Sequence, residues 1–113
     1  MVSFSNKYEF YLPDRYLVDD SGKTELHTDE KIEESIRGIL KIAGQINQGY
    51  SVREEKGCYY TGVATSSMTN TVMYFFTNSQ LSQRVIFEIA SYIKKTLRQR
   101  EIMLTVNGVG YII

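Results

Sequence analysis

Apolar and polar positions alternate over residues 3–12, SFSNKYEFYL. Phe4, Tyr8, Phe10 and Leu12 fall on one side, with Ser3, Ser5, Lys7 and Glu9 on the other. A period of two predicts a strand with one buried face, and Pro13 ends it by removing a ladder donor. From Thr28 the period lengthens. Ile32, Ile36, Ile39, Leu40 and Ala43 recur at helical spacing and form one apolar stripe. Thr28 is a good N-cap, Asp29 and Glu30 suit the positive end of the helix dipole, and Gly49 is the expected stop. A second helical stripe runs from about Gln80 to Arg98 through Leu81, Val85, Ile86, Ile89, Ala90, Ile93 and Leu97, with Lys94, Lys95, Arg98 and Arg100 at its end.

Between and after these helices the pattern reads as sheet. Tyr50 starts a strand, and residues 54–57, EEKG, predict a turn or a bulge at the glycine. Residues 58–65 form a further extended piece, and residues 66–70, SSMTN, a polar loop. Residues 71–77, TVMYFFT, are apolar on both parities, as in a central strand. Ile102, Leu104 and Val106 share one side of a later strand. Asn107 and Gly108 then give the strongest hairpin signal in the chain, leading into a short strand over residues 109–113. Residues 14–27 are turn-rich, and Asp19, Asp20, Ser21 and Gly22 predict the tip of a small hairpin or ordered loop.

Strand, helix, strand, strand, helix, strand is the order of a ferredoxin-like α+β sandwich. It predicts a mostly antiparallel sheet with two helices on one face and extra hairpins accommodated, in a single domain over residues 1–113. The layout resembles that of a small bacterial ferredoxin-like family, in its N-terminal KYEFYLP strand (residues 7–13) and in the Gln99-x-Glu101-x-x-Leu104 run after the second helix. The resemblance implies the fold and carries no activity.

The formal net charge is zero, which disfavours extended binding to phosphates or anionic lipid. The first residues predict no signal peptide, no apolar run approaches the roughly 20 residues of a membrane span, and a lone cysteine fits a reducing cytoplasm. Nine tyrosines and no tryptophan stand out, because tyrosine joins an apolar body to a polar tip and favours contact surfaces.

Candidate chemistry is sparse. Cys58 shares parity with Val52 and Tyr60 and reads as a buried strand residue rather than a nucleophile, since no base is obliged to meet it. His27, the sole histidine, lacks the partners of a metal site, and no metal or cofactor is predicted. Residues 21–24, SGKT, imitate a phosphate-binding loop, but Leu17 stands where its first glycine belongs. The carboxylate pairs Asp19 and Asp20, Glu33 and Glu34, and Glu54 and Glu55 read as solvated faces.

The leading reading is therefore a small cytoplasmic, non-enzymatic binding or regulatory module, of inhibitor type, acting through a tyrosine-rich surface as a homodimer. Its ligand- or partner-binding residues are Tyr11, His27, Tyr59, Tyr60, Ser66, Ser67, Met73 and Phe75. Met73 and Phe75 are expected on a sheet face that a second chain covers, with residues 66–70 as a loop able to close over the two adjacent tyrosines. The alternative is a small-molecule enzyme or nucleotide-type ligand binder with a pocket near Cys58 and Tyr60. A single-stranded RNA reader ranks last, because the aromatic signature and basic patch of that class are absent.

Overall fold

The computed structural model describes residue 1 and residues 3–44, 49–60 and 65–113, with backbone alone for residues 59, 60, 65 and 66. Through these residues run β1 (Asn6–Pro13), β2 (Arg15–Leu17), β3 (Thr24–Leu26), α1 (Asp29–Ala43), β4 (Ser51–Tyr60), β5 (Thr65–Thr77), α2 (Gln83–Thr96), β6 (Met103–Val106) and β7 (Val109–Ile112). The main sheet has five strands in the order β4-β5-β1-β6-β7, and every neighbouring pair is antiparallel. β2 and β3 form a separate two-stranded hairpin. The fold is thus mixed α+β.

The alternation in β1 sets the layers. Tyr8, Phe10 and Leu12 point the same way. Register places Phe75 opposite Tyr8, and Met73 and Leu104 opposite Phe10. These side chains merge with Ile36 and Ile39 of α1 and Ile89, Ala90 and Ile93 of α2 into one buried cluster, so both helices cover the same face. Removing each large apolar side chain from water contributes about 1.5–3 kcal/mol. Tyr8 keeps its hydroxyl satisfied by accepting from the Leu81 N–H at 2.8 Å.

This placement corrects the sequence reading of Met73 and Phe75. They are 0% and 1% exposed and belong to the core, not to a surface awaiting a second chain. The homodimer argument loses its seam with them.

The helices begin where their caps stand. The hydroxyls of Thr28 and Ser82 accept from the Lys31 and Val85 N–H groups, each at 3.2 Å. α1 stops earlier than Gly49, at Gly44. Its φ of 78° admits the left-handed turn, and its N–H reaches the Leu40 carbonyl at 3.1 Å. Where the helices meet, Gly38 lets Tyr92 lie across α1. A Cβ at Gly38 would sit 2.0 Å from Tyr92 Cζ, and the Tyr92 hydroxyl donates to the Glu34 carbonyl at 2.9 Å.

β4 and β5 differ most from expectation. β4 runs straight through residues 54–57, with no turn or bulge. β5 is a single strand of 13 residues that includes residues 66–70, paired throughout with β4. Those residues are therefore ladder rather than loop, and a closing lid there is ruled out. Gly57 has a local reason, since a Cβ would approach Asn70 Nδ2 to 3.2 Å. β1 ends its pairing at Asn70. Beyond that point the two strands continue as a ribbon that lengthens the molecule, whose extents are 50 × 25 × 24 Å. At the other edge, Asn107 (φ 52°) and Gly108 (φ 82°) form the predicted hairpin turn.

Candidate functional site

The sheet face away from the helices carries the odd-numbered side chains of β1. Lys7, Glu9 and Tyr11 stand there beside Val72, Tyr74 and Phe76 of β5, Arg53 and Glu55 of β4, and Thr105 of β6. Glu9 is the hub. Arg53 Nη1 lies 2.6 Å from its Oε2 and Lys7 Nζ 3.8 Å, and Thr105 Oγ1 donates to its Oε1 at 2.6 Å. Arg53 also reaches Glu55 at 3.3 Å and the Tyr11 hydroxyl at 3.5 Å. Both cations lie over the Tyr74 ring, at 5.1 Å for Lys7 and 5.4 Å for Arg53.

Burial pushes the Glu9 carboxyl up. The Thr105 hydroxyl and the Arg53 and Lys7 charges more than offset this, so it is held below the usual carboxylate range. The bond to Glu9 raises Arg53 further. Burial, with Glu55 and Glu9 nearby, raises the Tyr11 phenol. The shifts of Glu9, Arg53 and Tyr11 each carry the group further from neutrality, so none of these three is poised to exchange a proton there.

Next to this cluster opens a cavity of about 830 Å³. Tyr11, Gly57, Cys58, Met68, Asn70 and Met103 come from the sheet. Arg15, Tyr16, Leu17, Val18, Asp19, Asp20 and Thr24 come from the β2–β3 hairpin, and Arg98, Gln99, Arg100, Glu101 and Ile102 from the turn after α2. Aromatic faces, two thioethers, guanidinium groups and carboxylates therefore surround one space large enough for a nucleoside-sized molecule.

Of the residues singled out from the sequence, Tyr11 lines this cavity. His27 stands behind its hairpin wall, where its ring packs on Tyr16 with centroids 4.9 Å apart and Nε2 lies 2.9 Å from the Leu97 carbonyl. Ser67 is exposed and paired opposite Cys58. The side chains of Tyr59, Tyr60 and Ser66 lie outside the described residues, though their backbones belong to the ribbon. Cys58 is exposed at the cavity rim, contrary to its expected burial, because the ribbon has left the helices behind at that point. Lys7, Glu9, Arg53, Tyr74, Met68, Asn70 and Arg98 were not anticipated. The only sequence signal for them was the charged side of the first strand. Among the described residues no three His, Cys, Asp or Glu side chains gather as metal ligands, and no helix is long and apolar enough to cross a membrane.

No family sequence model matches the chain, and no functionally curated protein is similar to it in sequence. The fold, by contrast, is shared from end to end with solved enzymes. A phage SAM lyase in complex with S-methyl-5'-thioadenosine superposes with a TM-score of 0.69 at 13% identity, covering 100% of this chain and 94% of that one. A phage SAM lyase in the apo state gives a TM-score of 0.65 at 14% identity, covering 97% and 89%. The likeness overturns the non-enzymatic module read from the sequence. It is more in keeping with the alternative, a small-molecule enzyme or nucleotide-type ligand binder.

Proposed function

We propose that this chain is a small-molecule enzyme that cleaves S-adenosylmethionine, binding it in the cavity between the β2–β3 hairpin, the sheet and the turn after α2. The observation that carries the reading is the full-length match to a lyase solved with S-methyl-5'-thioadenosine, in a chain whose own large cavity has the size and lining for an adenosyl sulfonium. The strand order β4-β5-β1-β6 around two helices also supports a ferredoxin-like arrangement, extended by β7 and the hairpin.

Methylthioadenosine keeps the methyl and adenosyl groups on sulfur. The bond that breaks is therefore the one from sulfur to the four-carbon amino acid arm. Its electron pair stays on sulfur and cancels the positive charge, so the leaving group departs as a neutral thioether that needs no proton from the protein. A lyase completes the change within the arm, without adding water: the arm's own carboxylate oxygen bonds to the carbon that sulfur leaves, and the arm departs as a cyclised lactone rather than as homoserine. The protein's task is then to hold and orient the substrate. Tyr11 offers a ring face to the adenine or the sulfonium. Arg98 and Arg100 offer guanidinium groups to the arm's carboxylate, and Asp19 and Asp20 offer acids to its ammonium.

The test is incubation of the purified protein with S-adenosylmethionine, with both products identified by chromatography and mass spectrometry. Methylthioadenosine with a non-homoserine fragment is the expected result. Homoserine would make the enzyme a hydrolase. Absence of turnover, together with absence of methylthioadenosine binding by calorimetry, would overturn the assignment.

A further inference from the structure

The hairpin that walls the cavity stands apart from the main sheet. Among the described residues β2 and β3 pair with each other and with no other strand, and β3 is exposed along its length. Two backbone bonds mark the hairpin's base. The Asp14 N–H donates to the Thr69 carbonyl at 2.9 Å, and the His27 N–H to the Asp14 carbonyl at 2.7 Å. Above the base, side chains hold it against the end of α2. His27 Nε2 meets the Leu97 carbonyl at 2.9 Å, and Gln99 Nε2 donates to the Arg15 carbonyl at 2.8 Å. The Arg98 guanidinium lies 4.6 Å over the Tyr16 ring, whose other neighbour is the His27 imidazole. Arg98 takes the left-handed φ of 56° there, a conformation non-glycine residues adopt rarely.

We propose that the β2–β3 hairpin is a hinged flap over the cavity, and that His27 is the positioning residue that latches it to the C-terminal end of α2. The inference rests on the cavity being the substrate site. A flap of this kind lets substrate in when raised and fixes Tyr16, Asp19 and Asp20 around it when docked.

The latch is sensitive to protons. The groups facing His27 are Asp14 before the hairpin, Tyr16 within it, Lys31 on α1, and Leu97 and Arg98 after α2. Burial of the ring lowers its proton affinity, the Lys31 and Arg98 charges lower it further, and the Leu97 carbonyl and Asp14 oppose without prevailing. A raised hairpin returns His27 to water and to its ordinary value near 6.5. The raised form therefore takes up the proton first. Docking is intact above that value and weakens as pH falls below it, until the lower docked value is reached.

Amide hydrogen exchange of residues 15–26, corrected for the intrinsic pH dependence, tests this without any ligand. Between pH 7.5 and 5.5 the open fraction of the wild-type hairpin rises by about 3- to 10-fold, the upper figure being the limit for one proton per pH unit below the free value. Amides of β1 and β5 do not follow. His27→Gln, which keeps a donor for the Leu97 carbonyl but cannot titrate, removes the pH dependence. Gln99→Ala raises the hairpin at every pH and leaves its pH response intact. Equal protection at both pH values in the wild type, or a pH response that survives in His27→Gln, overturns the latch. Adding S-methyl-5'-thioadenosine slows hairpin exchange. Protection of Tyr11 and Asn70 with an unchanged hairpin overturns the flap. Protection nowhere refutes the substrate assignment, and the pH comparisons still decide the latch.

Discussion

Glu9 is the most informative position on the open sheet face. Replacing it with Gln keeps the shape and a carbonyl for the Thr105 hydroxyl but removes the charge that Arg53 and Lys7 address at 2.6 and 3.8 Å. Two arguments bound the effect. A hydrogen bond to a charged group contributes about 1.5–3 kcal/mol. However, the Arg53 side chain is 37% exposed, so an abandoned guanidinium stays hydrated and the loss falls toward the exposed-pair end of the scale. Together these give a destabilisation of about 1–2 kcal/mol at pH 7. The pH dependence has a definite sign. Because the folded carboxyl is held below its ordinary value near 4.5, its contribution is complete above that value and is lost as pH falls through the lower folded one. Urea unfolding of wild type and Glu9→Gln at pH 7 and pH 3 measures both quantities. The gap should be clear at pH 7 and shrink at pH 3. A gap of unchanged size at pH 3 would show that shape, not charge, is what Glu9 provides.

Three further substitutions or modifications report on other parts of the molecule. Gly38→Ala gains about 1 kcal/mol of helix propensity but drives a methyl into the Tyr92 ring, so the protein loses about 1–3 kcal/mol net. In a Tyr92→Ala background the added cost of Gly38→Ala disappears, and a single variant as stable as wild type in urea would contradict the helix contact. Tyr8→Phe strands the Leu81 N–H and lowers stability by about 1–2 kcal/mol, read as a fall in the thermal midpoint. Cys58, being exposed, reacts with a thiol reagent at nearly the same rate in the folded and urea-unfolded protein. Protection beyond about tenfold would place the thiol inside.

The parts of the fold that were legible are those where one local rule decides. Alternation fixes the buried side of β1, the stripes fix the helix faces, and Asn107 and Gly108 fix the last turn. β5 was not legible, because TVMYFFT is apolar on both parities. Only the register against β1, with Phe10 opposite Met73 and Tyr8 opposite Phe75, decides which set is core. The other parity, Val72, Tyr74 and Phe76, lies on the opposite face, where Phe76 stays 43% exposed. Val72 is fully buried on that face, and the long side chains of Lys7 and Arg53 lie across the aromatic surface there while keeping their charged ends on Glu9. The SSMTN segment failed for the opposite reason. It carries little apolar signal because no helix lies beneath it, and backbone pairing with β4 makes it a strand.

The cavity was hidden for a further reason. Its walls come from three separate stretches, residues 11–24, then Gly57, Cys58, Met68 and Asn70, then residues 98–112, and no local pattern brings these together. The zero net charge misled in the same way, since it is a sum and says nothing of placement. Around the cavity both signs are gathered, with Arg98, Arg100 and Glu101 on the turn after α2 and Arg15, Asp19 and Asp20 on or beside the hairpin. A neutral chain arranged so is not indifferent to charge. It gathers both signs around one opening, which suits a ligand that is itself a zwitterion. On the proposed reading, the amino acid arm of S-adenosylmethionine, with a carboxylate and an ammonium on one carbon, is such a ligand. On that reading, charges that cancel in the chain's sum still meet the arm's carboxylate and ammonium one by one.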